Sequence, residues 1–111
     1  MLHRMNLRTA PFEAIRSGRK TFELRLFDEK RRLISPGDRI DFSCEGERVL
    51  TEVLALHPFA SFAELYASLP LLKCGYTEEN ISSADPRDME AYYPPEKQAE
   101  HGVLAIELKL I

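Results

Sequence analysis

Two basic residues and one acidic residue fall within six positions of one strand-like run, from Gly18 to Leu26. They are Lys20, Glu23 and Arg25. Alternation along a strand places Glu23 and Arg25 on the same face, and Lys20 can join them only from the turn that opens the strand. A carboxylate between two cations holds them in place and offers an acceptor beside a phosphate or a base edge. This spacing predicts an anion-binding site, with a solvated strand face as the alternative.

The net charge of −3 is unevenly divided along the chain. Residues 1–32 carry nine basic and four acidic residues, whereas residues 33–111 carry six basic and fourteen acidic residues. A protein that binds long duplexes is expected to be basic overall, because its affinity comes largely from phosphate neutralisation. The distribution favours a local site for a small or single-stranded anionic ligand. The alternative is that the two parts of the chain do not correspond to two faces of the fold.

Length and composition indicate one globular domain over 1–111. With 111 residues, of which 44% are hydrophobic and 30% charged, the chain can form one core but not two. No apolar run is long enough to span a membrane, and the N-terminal residues lack the apolar region of a signal peptide. These features predict a cytoplasmic protein with no membrane partner. No metal or cofactor is predicted, because the histidines and cysteines are scattered (His3, His57, His101, Cys44 and Cys74).

Apolar periodicity and turn residues predict roughly five strands interleaved with three short helices. The strands are expected at about 2–7, 20–26, 39–44, 49–53 and 103–111, and Pro58 is expected to end the fourth. The helices are expected at about 10–17 with Thr9 as N-cap, from a capping box at Ser61 to Leu69, and from Asp85 to Pro94. Residues 70–84 are predicted to be a loop, as is the triplet Lys30-Arg31-Arg32. The pattern predicts an α+β fold.

Several segments together resemble the ASCH domain family. They are the run Phe12–Arg25 with its Gly-x-Lys and Glu-x-Arg elements, the turn and strand Pro36–Phe42, the pair Tyr92-Tyr93, and the stretch His101–Glu107. The resemblance extends over nearly the whole chain. It implies a PUA-like small β-barrel of about five or six strands. It also implies a function directed at RNA or a nucleotide, in a basic cleft where the first helix meets the basic strand.

One branch of this family resembles small bacterial amidohydrolases that deacetylate N4-acetylcytidine. There a lysine of the Gly-x-Lys run, a threonine three positions later and a distant glutamate are catalytic. Lys20 matches the lysine, but Glu23 occupies the threonine position. A carboxylate can act as a general base but supplies no hydroxyl nucleophile, and Thr21 is an unsuitable replacement by strand parity. Another branch is similar to proteins that cleave RNA.

The sequence is therefore interpreted as that of an RNA- or nucleotide-binding protein that uses Lys20, Glu23 and Arg25. Tyr92, in preference to Tyr93, is predicted to stack on a base, and packing of these tyrosines on the barrel is the alternative. A second hypothesis is a hydrolase with Lys20 and Glu23 as acid and base. A third is a protein-interaction module that binds a protein partner through its acidic C-terminal portion.

Overall fold

Five strands form one curled sheet in a computed structural model that describes residues 1–111. The strands are β1 (Leu2–Asn6), β2 (Phe22–Leu26), β3 (Arg39–Cys44), β4 (Glu47–Phe59) and β5 (Val103–Leu110). Their order is β1-β3-β4-β5-β2, and only the β1–β3 pair is parallel. The two edge strands are thus β1 and β2. This half-barrel, with its helices, confirms the predicted α+β PUA-like fold.

The helices are α1 (Thr9–Arg16), α2 (Phe62–Ser68) and α3 (Pro95–His101). Helix α1 connects the two edge strands, and Gly18 ends it with a φ of +82°, a conformation that favours glycine. Half of the predicted capping box is present at α2: the Ser61 hydroxyl accepts a hydrogen bond from the backbone N–H of Glu64, whereas the Glu64 carboxylate accepts from the backbone N–H of Ala60 rather than of Ser61. Three short 3-10 helices lie between α2 and α3, at Leu71–Lys73, Ile81–Ser83 and Pro86–Ala91.

Apolar side chains pack on both faces of the sheet. The cluster inside the curl comprises Met5, Phe12, Ile15, Ile34, Ile40, Phe42, Val53, Leu104, Ile106 and Leu108. The cluster beneath α2 comprises Phe22, Leu24, Phe62, Leu65, Cys74, Met89, Val103 and Ala105. Strand β5 contributes alternate residues to the two clusters, as the period of two requires. Because β2 pairs with β5, the polar face of β2 lies on the inner side of the curl.

Two element ends that were predicted at prolines are wrong: the end of the fourth strand at Pro58 and the end of the third helix at Pro94. Strand β4 continues through Pro58, which pairs with Leu104 of β5. Beyond Glu52 this strand has only one neighbour, and proline is tolerated in a strand that has a free edge. The segment after Asp85 is 3-10 rather than α-helical and ends at Ala91. The predicted stop at Pro94 is instead the N-cap of α3, because proline is tolerated in the first helical turn.

Two smaller corrections concern the basic N-terminal part. The N-cap of α1 is Arg8 rather than Thr9, and no side chain caps this helix. The triplet predicted as a loop contains a single 3-10 turn, Arg31–Leu33, in which Arg31 pairs with Asp28 at 3.2 Å. The guanidinium of Arg32 lies 4.1 Å from the ring centroid of Phe27. These contacts attach part of the triplet to the fold.

Candidate functional site

A cleft of about 550 Å³ lies along the seam between the edge strands β1 and β2. The end of β1 and the start of α1 form one wall, and the segment from Tyr66 to Tyr93 contributes the other. The floor is made by β2 and the turn that precedes it. Across the seam, Nη2 of Arg25 donates a hydrogen bond to the backbone carbonyl of Asn6 at 3.1 Å. A side chain thus bridges two strands that share no ladder.

The cleft floor carries Lys20, Glu23 and Arg25, which we call the floor cluster. Lys20 Nζ lies 2.8 Å from Glu23 Oε1, and Arg25 Nε lies 2.7 Å from Glu23 Oε2. Lys20 is 8% exposed and Glu23 is 4% exposed. The backbone N–H of Lys20 donates to the carbonyl of Ala14, so the lysine enters from the turn after α1, as the strand parity requires. The three predicted charges therefore meet in one group, in which Lys20 and Glu23 are buried and Arg25 is partly buried.

Burial and pairing compete in the floor cluster. Burial by itself would raise the pKa of Glu23, but the charges and hydrogen bonds of Lys20 and Arg25 together hold that pKa below its ordinary value. Burial likewise opposes the charge of Arg25, and the neighbouring Glu23 carboxylate outweighs it and raises the Arg25 pKa. Glu23 is therefore a carboxylate at neutral pH, with each oxygen already accepting one hydrogen bond. Its remaining lone pairs stay available as acceptors.

The register of β2 on β5 explains this burial. Glu23 lies opposite Ile106 and Arg25 lies opposite Leu104, both of which belong to the cluster inside the curl. The alternative of a solvated strand face is therefore excluded for Glu23. Phe22 and Leu24 lie on the other face, beneath α2, as the alternation predicts.

Gly75 fits closely against the floor cluster. Its φ is +116°, and a Cβ added there would lie 3.5 Å from Cδ of Lys20. The loop can therefore pass directly beside the lysine stem in a conformation that other residues rarely adopt. The neighbouring Cys74 is buried, which raises the pKa of its thiol to about 11. This loop contributes close packing rather than a reactive thiolate.

The two tyrosines predicted at the site have different environments. Tyr92 is 50% exposed at the cleft, and the guanidinium of Arg8 lies 4.8 Å from its ring centroid. Tyr93 is half-buried and stacks on Phe62, with ring centroids 6.3 Å apart and an interplanar angle of 15°. Only Tyr92 therefore has the accessible ring that stacking on a base requires, and its ligand role stays a prediction.

Several polar cleft residues were not identified from the sequence, among them Arg8, Arg19, Tyr76 and Asp88. Tyr76 donates a hydrogen bond from its hydroxyl to Asp88 Oδ2 at 2.7 Å. Burial, followed by hydrogen bonds with Tyr66 and Asp88, raises the pKa of Tyr76, so its phenol keeps its proton. The sequence does contain a signal for the two arginines, because they lie on either side of the first predicted helix, which the family resemblance places at the cleft. Nothing local in the sequence marks Tyr76 or Asp88.

The charge of the cleft differs in sign from that of the whole chain. Its lining contains four cations and two carboxylates, which are Arg8, Arg19, Lys20, Arg25, Glu23 and Asp88. The chain as a whole has a net charge of −3. Positive charge is therefore concentrated at the cleft on an otherwise acidic protein.

The remaining polar candidates lie apart from the cleft. Each histidine pairs with a different carboxylate, in the pairs His3–Asp38, His57–Glu107 and His101–Glu100. The structure brings together no group of three or more His, Cys, Asp or Glu side chains. None of its helices combines the length and the apolar character that a membrane crossing demands.

The fold and the cleft define a class of protein, a curled-sheet α+β domain with a cationic cleft between its edge strands. The ASCH domain profile matches residues 5–111. The chain belongs to the ASCH domain family.

Solved structures agree with this assignment. The crystal structure of hypothetical protein PH0355 is 32% identical, has a TM-score of 0.85 and covers 100% of both chains. The solution structure of protein PF0455 from Pyrococcus furiosus is 34% identical, has a TM-score of 0.73 and covers 100% of this chain and 98% of that one. ASCH from Zymomonas mobilis is 19% identical with a TM-score of 0.66, covering 97% of this chain and 66% of that one, and shares the fold. A comparison with curated proteins found no match.

Proposed function

We propose that this protein binds single-stranded RNA, or a nucleotide derived from it, in the cleft between β1 and β2. The observation that carries the proposal is the floor cluster. Placing three charged side chains out of water is costly, and an ion pair of this kind is poor evidence for a purely stabilising role. Here the cluster lines an open cleft, where its unused donors and acceptors can meet a ligand. Phosphate oxygens suit the cations, and base N–H groups suit Glu23.

The size and charge of the cleft support a single strand over a duplex. A volume of about 550 Å³ is within the range of sites for small ligands. The acidic remainder of the chain would repel the distant phosphates of a long duplex, since duplex binders gain affinity from many phosphate contacts. The exposed ring of Tyr92 offers a stacking surface that an unpaired base can use.

Hydrolysis receives less support from the geometry. Both oxygens of Glu23 accept hydrogen bonds from cations, and its lowered pKa makes it a weak general base. Thr21 lines a separate cavity of about 230 Å³ rather than the cleft, so its hydroxyl does not replace the missing nucleophile. The protein-interaction hypothesis and the cytoplasmic location remain predictions from the sequence.

Binding is tested with labelled single-stranded and duplex RNA of matched sequence across a salt series. We expect the single strand to bind more tightly, with a shallow log–log salt slope of about −1 to −3. Arg25→Ala should weaken binding by about 1–3 kcal/mol, the range for charge-assisted hydrogen bonds. Unchanged affinity in a folded double variant of Lys20 and Arg25 would remove the floor cluster from the site. A steep slope with tighter duplex binding would contradict the cleft as the binding surface.

Catalysis is tested separately with N4-acetylcytidine and a panel of short RNAs. We expect binding without turnover. Robust deacetylation or cleavage by the wild-type protein would replace the proposed binder with a hydrolase. In that case, Glu23→Gln should lower the rate by about 100-fold if this carboxylate is the base.

A further inference from the structure

Arg8 and Arg19 lack the carboxylate partner that the other cleft cations have. The guanidinium of Arg8 lies over the Tyr92 ring, and Nη1 of Arg19 donates to the backbone carbonyl of Tyr76 at 3.5 Å. Neither forms an ion pair, whereas Lys20 and Arg25 share Glu23. Two exposed, uncompensated positive charges therefore line the cleft beside the floor cluster.

The two arginines lie at opposite ends of α1. Arg8 is the N-cap of this helix, and Arg19 follows its C-terminal Gly18. The eight residues of α1 extend over about 12 Å. Ala10, in the first turn, lines the cleft, so the start of α1 forms part of the wall between the two cations. The arrangement places positive charge at two separated points of the cleft lining, one on the wall at the start of α1 and one in the turn that precedes β2.

Arg16, on the same helix, has a different environment. It forms ion pairs with Glu13 and Glu47, and it does not line the cleft. Arg8 and Arg19 are thus distinguished by their position rather than by the general basicity of this part of the chain. The same contrast makes Arg16 a matched control, because its removal changes the net charge equally without altering the cleft lining.

We propose that Arg8 and Arg19 bind two different phosphates of one RNA strand that runs along α1. The inference rests on the proposed function and specifies its ligand as a segment of several nucleotides rather than a free mononucleotide. The length of α1 is several times the rise of about 3.4 Å per nucleotide in a stacked strand. Because each guanidinium is anchored to a different residue of the opposite wall, the two cations serve separate phosphates.

The contact between Arg8 and Tyr92 links phosphate binding to base stacking. The guanidinium covers one face of the ring, and the ring still has half its surface exposed. A nucleotide whose phosphate meets Arg8 can place its own base, or the adjacent one, against the open part of this ring. The Arg8 end of the strand is therefore the end at which a base is held by stacking.

The test measures affinities for uridine monophosphate, diuridylate and triuridylate, with an adenylate series in parallel. In the wild type we expect affinity to rise by about tenfold or more from mono- to trinucleotide. Arg8→Ala and Arg19→Ala should each weaken trinucleotide binding by about tenfold, the loss expected for one charge-assisted contact. Each should also make the log–log salt slope shallower by about 0.7, the value for one phosphate of a single strand. Arg16→Ala should bind as the wild type does.

Two failures can be told apart. If mono- and trinucleotide bind equally, or if Arg8→Ala and Arg19→Ala behave like Arg16→Ala while Lys20 and Arg25 still matter, the inference is wrong and the proposed function stands. If none of these nucleotides binds to the wild type, the proposed function fails and the inference fails with it. Arg8 and Arg19 are both exposed, so their variants are expected to fold, and circular dichroism verifies this.

Discussion

Two clusters of three charged residues lie at or near α1, and they differ in composition and in burial. The floor cluster has one carboxylate between two cations and is largely buried at the bottom of the cleft. The second, which we call the outer cluster, has one cation between two carboxylates and is exposed (Glu13, Arg16 and Glu47). Their hydrogen-bond distances are similar, with 2.8 and 2.7 Å on the floor and 2.9 Å from Arg16 to Glu47.

We expect solvent exposure, rather than hydrogen-bond geometry, to decide how much each cluster contributes to stability. Ions of the outer cluster remain hydrated when a partner is lost, so exposed pairs of this kind contribute little to stability. Ions of the floor cluster are less accessible to water, so water does not fully replace a lost partner. Removal of one partner therefore leaves a largely buried charge without compensation. Only the floor cluster is therefore expected to be sensitive to a single lost charge, and only it lines the cleft.

The largest expected effect comes from Glu23→Gln. The change keeps the shape of the side chain but leaves Lys20 and Arg25 without a counter-charge, which should lower the free energy of unfolding by about 3 kcal/mol. Urea denaturation followed by circular dichroism measures this loss. The matched change in the outer cluster, Glu47→Gln, should leave the midpoint unchanged. Equal midpoints for the two variants would show that burial does not distinguish the clusters.

Acid should remove the same charge from the wild type. The pKa of Glu23 is lower in the folded state than its unfolded value of about 4.3. Its contribution is therefore fully present above that unfolded value and is lost as the pH falls through the folded value. Below about pH 4 the stability of the wild type should approach that of Glu23→Gln. Asp38 also has a lowered pKa, through His3 first, but it is present in both proteins and cancels. A constant difference between the two proteins down to pH 2 would contradict this account.

A smaller effect is expected from Arg25→Lys. The charge is kept, but one ammonium group does not reproduce the two directed bonds that the guanidinium makes, to Glu23 and to the Asn6 carbonyl. We expect a loss of about 1.5 kcal/mol in unfolding free energy, the scale of one hydrogen bond to a charged group. Arg48→Lys serves as control, because Arg48 pairs only with Asp41 at an exposed position. Identical chemical stability of the two variants would show that the bond across the seam contributes nothing.

The smallest effect is expected from Arg16→Ala. Removal of the central cation of the outer cluster should leave the unfolding midpoint within experimental error, because water replaces its partners. Thermal unfolding at low and high salt measures this. A marked destabilisation that salt abolishes would show that Arg16 restrains repulsion between Glu13 and Glu47.

The floor cluster could be predicted because its contacts are local. Its members lie within six residues, and strand alternation together with the preceding turn determines how they can meet. Their burial was not predictable from that run, since it depends on which side the sheet curls toward. The resemblance to the family supplied the sheet architecture, whereas the extent of β4 past Pro58 depended on which strands flank it.

The opposite wall of the cleft was not predictable for a different reason. The contact between Arg19 and Tyr76 joins residues 57 positions apart, and no periodic pattern relates them. Gly75 and Tyr76 lie in a segment for which the sequence predicts a loop, because its short 3-10 helices carry no extended apolar period. Helix α3 was missed because adjacent prolines are typical both of a helix end and of a helix start.

The guanidinium that joins β2 to β1 also gives the sheet a particular mechanical property. A ladder of backbone bonds would resist separation of the two edges along their whole length, whereas one side chain fastens them at a single point. No backbone pairing therefore opposes a change in the width of the seam, in contrast to the four strand pairs of the sheet. Since that residue belongs to the cleft floor, the hydrogen bond that joins the two edges also fixes the position of a side chain in the cleft.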